Sequence, residues 1–312
     1  MTDITTIGEV LIDLTQSGLT DQGIPRFDAN PGGAPANLAV AASRLGAKTA
    51  FIGRVGQDSF GAYLRRCLME NGVDVSGLSV DEQERTTLAV VALDDTGERT
   101  FSFYRDPSAD VRLSWEHVPQ AMRADTRILH FGSVSLTAEP SRTATLEAAK
   151  TAKASGAIVS YDPNYRASLW PDEETAVRNM TEPLPLVDIL KVSDEELPLL
   201  TGLSDPEAGS ARLAEQGVRL VLVTLGAHGA FYRFDGHTGH VPGVPCQVGD
   251  TNGSGDTFFG AALSQLVKLN SLDELTGPEL ERILAFANKA ASITTSRHGA
   301  IPAMPTLREV EG

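Results

Sequence analysis

The sequence predicts an α/β fold with a mostly parallel central sheet, helices on both faces and a small β lid. Three observations carry this expectation. Short apolar runs alternate with longer helical patterns along most of the chain. The strand-like runs are apolar throughout, as suits strands covered on both faces. Two stretches, about 14–31 and 85–110, break the alternation with polar, Gly and turn residues.

The elements follow in order. Ile4–Asp13 reads as a buried strand, and Ala36–Leu45 as an Ala-rich helix ending at Gly46, a C-terminal cap. Lys48–Val55 is a second strand, and Ser59–Glu70 a helix that stops before Gly72. Further strands are expected at Ile128–Phe131, Ala157–Tyr161, Ile189–Val192 and Arg219–Leu225. Helices are expected at Ser141–Lys153, Ala208–Glu215, Asp256–Leu269 and Glu279–Ser296. Thr86–Leu93 and Arg99–Arg105 read as a hairpin around Asp94-Asp95-Thr96-Gly97. Alternation along its return strand puts Phe101, Phe103 and Arg105 on one face. The expected organisation is one domain over 1–312, with the lid made from the two interrupting stretches.

Composition removes several function classes. Lys+Arg number 26 and Asp+Glu 41, a net charge of −15, which argues against nucleic-acid or anionic-membrane partners. Cys67 and Cys246 are the only cysteines, too few for a disulfide framework or a Cys-based zinc site. The opening MTDITTIGEV lacks the basic region and apolar run of a secretory signal, and no apolar stretch approaches the ~18 residues of a membrane span. The expected compartment is the cytoplasm. Asp13-Leu14-Thr15 follows the first strand, where a dinucleotide-binding oxidoreductase would carry Gly-x-Gly-x-x-Gly; no Gly-Lys pair supports a P-loop. His237-x-x-His240 is read as part of a turn with Gly236, not as a metal site.

The segment richest in chemistry is Gly249-Asp250-Thr251-Asn252-Gly253-Ser254-Gly255-Asp256, which runs into an apolar helix. Glycines let a ligand approach the backbone, and the free amides of a helix N-terminus favour an anion. Asp256 is placed to cap that helix, or to act as a base beside the anion. An anion cradle next to a carboxylate suits phosphoryl transfer.

This segment resembles the second signature of the PfkB/ribokinase family of sugar kinases. Pro31-Gly32-Gly33-Ala34-Pro35-Ala36-Asn37, leading into a helix, resembles the first. The resemblance implies a ribokinase-like three-layer sandwich with a lid, ATP and Mg2+ as cofactors, and K+ as an activating ion. It implies a catalytic base at Asp256 and an anion hole from the amides of Gly253, Ser254 and Gly255. Sugar ligands would be Asp13, Gly32, Gly33, Asn37, Phe103, Arg105 and Arg166, together with Asp256. Lys191-Val192-Ser193-Asp194-Glu195-Glu196 resembles the family's Asn-x-x-Glu element, with Ser193 in the Asn position and Glu196 acting on magnesium indirectly. Nucleotide contacts would come from Lys191, Ser193, Thr224, Gly226, Gly229, Gly253, Gly255 and Asn288. Asp250 and Gly299 would lie at a monovalent-cation site. Phe103–Asp110 and Tyr161–Trp170 look most like the bacterial fructokinase branch. That branch implies D-fructose and ATP as substrates and a homodimer through the lid. A 2-keto-3-deoxygluconate kinase, a ribokinase, an aminoimidazole riboside kinase and a non-catalytic sugar-binding descendant are the alternatives.

Overall fold

A computed structural model of the chain describes residues 1–93 and 99–312. The expected turn at Asp94-Asp95-Thr96-Gly97 and the side chain of Phe101 lie outside the described residues. The strands are β1 Thr2–Ile7, β2 Leu11–Leu19, β3 Pro25–Gly32, β4 Thr49–Gly56, β5 Asp74–Asp81, β6 Leu88–Leu93, β7 Arg99–Tyr104, β8 Thr126–Gly132, β9 Ile158–Asp162, β10 Ile189–Ser193, β11 Leu220–Thr224, β12 Ala230–Phe234 and β13 His237–Val241. The α-helices are α1 Ala34–Arg44, α2 Ser59–Glu70, α3 Ser141–Ala154, α4 Glu173–Thr181, α5 Glu196–Thr201, α6 Pro206–Ala214, α7 Ser254–Leu266, α8 Gly277–Thr295 and α9 Leu307–Glu311.

A nine-stranded sheet has the order β13-β12-β11-β10-β9-β8-β1-β4-β5. It is parallel except at β11–β12 and β12–β13. Its faces are read from strand alternation: Leu220 and Leu222 pack toward Phe259, Leu263 and Leu284, whereas Val221 and Val223 pack toward Ala149, Met180 and Leu213. Helices therefore cover both sides, which makes three layers. A second sheet, β3-β2-β6-β7, forms the lid.

Ile4–Asp13 proves to be two strands in two sheets, not one. The chain leaves the main sheet after Ile7 and enters the lid at Leu11. Gly8 makes the exit: its φ is +149°, and a Cβ there would lie 2.7 Å from Pro35 Cγ at the start of α1. The lid thus starts at Leu11, before residue 14, and carries Asp13 on a lid strand. The His237–His240 segment is also corrected. It is strand β13, with the tight turn at Asp235-Gly236, and His240 Nε2 lies 2.8 Å from the His228 carbonyl.

One helix contact positions the site. Gly260 lets α7 lie against α1: a Cβ at Gly260 would come 2.9 Å from the Leu38 carbonyl oxygen and 3.0 Å from Ala41 Cβ. Ala41 and Ala42, the α1 residues beside Gly260, are small and buried. Gly260→Val should lower stability by about 2 kcal/mol through overpacking, measured by urea denaturation. Gly277→Ala, where a Cβ meets open space, should leave stability unchanged or slightly raised.

Candidate active site

Helix α7 begins without a side-chain cap. Its N-cap is Gly253 in the left-handed region (φ 73°), and no side chain accepts from the first turn. The Ser254 amide donates to the Thr251 carbonyl at 3.2 Å, while Gly253 and Gly255 line a cavity of about 720 Å3. The Lys191 ammonium reaches over this turn from the middle of β10. A Cβ on Gly255 would lie 3.3 Å from Lys191 Nζ.

Asp256 does not cap α7. Its carboxylate turns into the cavity and accepts from Asn37 Nδ2 at 2.8 Å and Asn164 Nδ2 at 3.2 Å. The capping reading is therefore set aside. Asn37 comes from α1, and Asn164 from the loop after β9, where its φ is +48°. Burial pushes the Asp256 carboxyl above its ordinary value; Asn37, the Lys191 and Arg166 charges and Asn164 pull it back in part. A carboxylate both raised and oriented has the properties of a general base.

Asp162, at the end of β9, bonds in two directions. Its Oδ2 pairs with Lys191 Nζ at 3.0 Å, and its Oδ1 accepts from the Asn164 amide at 3.1 Å. Burial raises the Asp162 carboxyl and Lys191 opposes that rise. Burial works against the Lys191 charge as well, but Asp162 and Glu196 outweigh it and keep the ammonium above its ordinary value.

The lid closes the other end of the cavity. Phe103 and Val91 line it from the lid hairpin, and Asp13 lines it from β2. Burial pushes Asp13 up to about 6, moderated first by a hydrogen bond with the Asn252 side chain and then by Arg166. Gly32 packs against Asp13 so closely that a Cβ would strike its Oδ2. Gly33 is the N-cap of α1, at φ +103°, where a Cβ would lie 2.6 Å from the Glu9 carbonyl oxygen. Glu9 is 3% exposed: Oε1 accepts from the Ala34 amide at 3.0 Å, and Oε2 is buried without a partner. Burial pushes Glu9 up to about 7. Arg166 is exposed on the cavity rim. The cavity thus joins a hydroxyl-matching acidic end to a cationic, amide-rich end, with Asp256 between them.

Known proteins resemble this chain over its whole length. The family described as pfkB family carbohydrate kinase matches residues 1–307. The chain belongs to that family. Fructokinase-1 of Zea mays is 43% identical over 311 residues, covering 98% of this chain and 96% of that protein. The fructokinase of Xylella fastidiosa, solved with bound ATP, is 36% identical with a TM-score of 0.93, over 100% of this chain and 98% of that one. The fructokinase of Vibrio cholerae O395, solved with fructose, ADP and calcium ion, is 34% identical with a TM-score of 0.90, over 100% and 98% of the two chains.

Of the remaining expected site residues of this carbohydrate kinase, Asp250 lines the cavity and the others lie outside its wall. Arg105 is committed elsewhere: Nε bonds Asp110 at 2.7 Å, Nη1 Thr137 Oγ1 at 2.6 Å and Nη2 the Val134 carbonyl at 3.0 Å. It braces the base of the lid. Ser193 and Glu196 form a capping box on α5: the Glu196 amide donates to Ser193 Oγ at 3.1 Å and the Ser193 amide to Glu196 Oε2 at 2.9 Å. Glu196 Oε1 also accepts from the Tyr165 amide at 2.7 Å. With both oxygens on amides, Glu196 fits a magnesium ion held through water better than one bound directly.

Thr224 ends β11 beside Ser193, and Gly226 and Gly229 shape the turn that follows, with φ of +54° and +92°. Asn288 Nδ2 on α8 donates to the carbonyls of Val241 and Pro242 at 3.2 and 3.0 Å. Asp250 accepts from the Asn252 and Gly299 amides at 3.0 and 3.2 Å, which draws together the two loops expected to hold a monovalent cation.

Sequence reasoning missed Glu9, Asp162, Asn164 and Asn252 as site residues. Asp162-Pro163-Asn164 carried a turn signal, since Asn tolerates the left-handed region. Glu9 carried none, because its burial is created by α1 and the lid.

Glu9 supplies a test. Its folded value near 7 exceeds the ordinary 4.5, so the unfolded state ionises first and stability falls as pH rises between them. Above pH 7 the full cost is about 3 kcal/mol; at pH 5 it is under about 1 kcal/mol. Glu9→Gln should therefore raise Tm more at pH 8 than at pH 5.

Proposed function

We propose that the chain transfers the γ-phosphoryl group of ATP to the 6-hydroxyl of D-fructose, giving fructose 6-phosphate and ADP. The observation that carries the reading is Asp256 itself: a buried carboxylate, 8% exposed, aimed by two amides and set between the lid end and the cationic end of one cavity. The names and bound ligands of the related fructokinases support the same reaction.

In this reading fructose lies under the lid, with hydroxyls on Asp13, Asn37 and the Gly33 backbone and with Phe103 against its carbon face. Asp256 takes the proton of the acceptor hydroxyl as that oxygen bonds to phosphorus and the bond to ADP breaks. Lys191 and the α7 amides meet the charge on the transferring group. Arg166 guards the rim, and the lid excludes water, the competing acceptor. Magnesium would be held near Glu196 through water and would neutralise phosphate charge. Potassium would sit between the Asp250 and Gly299 loops.

The acidic sugar end favours fructose over 2-keto-3-deoxygluconate. Glu9 and Asp13 line it, Arg105 is tied to Asp110, and Arg166 alone stands over the opening. The outer lid exposes Leu19, Ile24 and Phe27, which supports a homodimer through that face. The net charge, the two cysteines and the lack of any long apolar helix among the described residues accord with the cytoplasm as its place of action.

A coupled ADP-release assay over fructose, 2-keto-3-deoxygluconate, ribose and aminoimidazole riboside should give the highest kcat/KM with fructose. Asp256→Asn should lower kcat about 10³-fold while fructose affinity changes little; near-normal turnover would remove Asp256 as the base. Because burial raises Asp256, wild-type kcat should fall with falling pH, with a midpoint above the ordinary carboxylate value.

A further inference from the structure

We infer that Asp162 is a positioning residue for phosphoryl transfer, holding the Lys191 ammonium over the anion cradle and the Asn164 amide on the catalytic carboxylate. The inference rests on the proposed kinase reading and assigns its cavity a support that does not itself touch substrate. Asp162 is 2% exposed and does not line the cavity, whereas both groups it holds do.

The geometry is a fork. One oxygen pairs with Lys191 Nζ at 3.0 Å; the other accepts from the backbone N–H of Asn164 at 3.1 Å, which leaves the Asn164 side-chain amide for Asp256. Each arm continues to α7. Lys191 Nζ lies where a Cβ of Gly255 would be 3.3 Å away, beside the amides that meet phosphate. Asn164, turned to φ +48° by the loop that Asp162 closes, donates to Asp256 Oδ1 at 3.2 Å. A single carboxylate therefore fixes the spacing between the base and the cation that stands for the phosphoryl end. Asp162 ends β9 and Lys191 stands in the middle of β10, so the pair bridges adjacent parallel strands of the central sheet.

Stability alone is a poor account of this pair. Desolvation offsets much of the attraction in a buried ion pair, and an apolar pair of similar size is often as stable. Lys191 also needs a countercharge to stay an ammonium in a buried place. The charged groups around it are Asp162 from β9, Glu196 from α5 and Asp256 from α7, and the neutral His130 ring lies near it from β8. Asp256 in turn faces Arg166 and Asp13. Removing the Asp162 charge leaves Lys191 with weaker support and lowers its ammonium, a change visible on the alkaline side of a pH profile.

The test compares wild type, Asp162→Asn, Lys191→Met and the double variant, using whichever of the four sugars the wild type turns over fastest. That choice separates the inference from the identity of the sugar: a best substrate other than fructose would overturn the fructose reading and leave this comparison intact. Asp162→Asn keeps an oxygen for the Asn164 amide and loses the charge. It should lower kcat by about 10- to 100-fold, with sugar KM within about threefold, and should move the alkaline limb of the kcat–pH profile to lower pH. The double variant should be no slower than Lys191→Met alone, because Asp162 acts largely through Lys191; it also leaves no unpaired buried charge, so it reports even if Asp162→Asn folds poorly. A kcat and pH profile unchanged in Asp162→Asn would overturn the inference. So would losses that multiply independently in the double variant.

Discussion

The structure depends on holding one carboxylate, Asp256, out of water without capping or neutralising it. Three elements far apart in sequence meet to do this. Helix α7 carries Asp256, α1 brings Asn37, and the loop after β9 brings Asn164. Each amide donates one hydrogen bond to one oxygen, so the charge is satisfied and its direction fixed. The close approach of α1 and α7 at Gly260 serves this contact. An open first turn on α7, which would be a defect in an ordinary helix, becomes the place where phosphate can be received.

The electrostatics then resolve an apparent conflict. A chain with a net charge of −15 is expected to handle ATP, itself a polyanion. The acidic excess is spread over the whole sequence, whereas the α7 end of the cavity has helix amides and Lys191, with Arg166 at the rim. Local fields outweigh the global charge because the site is partly desolvated and distant surface charges are screened within about 8–10 Å. At the lid end the balance reverses. Glu9 and Asp13 are raised toward neutral pH by burial, so they present hydroxyl-matching groups.

Much of the fold was legible. Alternating apolar runs gave the parallel sheet, and Ser59–Glu70 matches α2 because Asp58 before it and Gly72 after it are local signals. The lid hairpin was legible from its β-rich runs. Local signals failed where tertiary contacts decide. Ile4–Asp13 looks continuous, yet the packing of Pro35 on Gly8 breaks it into strands of two sheets. Strand β5, which pairs with β4, gave no apolar alternation clear enough to read.

The site was legible to the extent that small-residue loops announce it. The Gly253–Asp256 segment showed both cradle and carboxylate. What it could not show was the choice between capping and catalysis for Asp256, because the deciding partners, Asn37 and Asn164, lie far away in the chain. Arg105 illustrates the opposite case. Its alternation with Phe103 put it on the cavity face, but Asp110, Thr137 and the Val134 carbonyl consume its donors. Ser193 and Glu196 carried a capping-box spacing that explains their mutual bonds without reference to any ligand.

The most direct measurement is a 13C NMR titration of the Asp256 carboxyl, its signal assigned by loss in Asp256→Asn. A buried base oriented by amides predicts an ionisation midpoint above the ordinary 3.8, rising further when Asn37→Ala removes one donor. A midpoint at or below 3.8, unmoved by Asn37→Ala, would contradict the account.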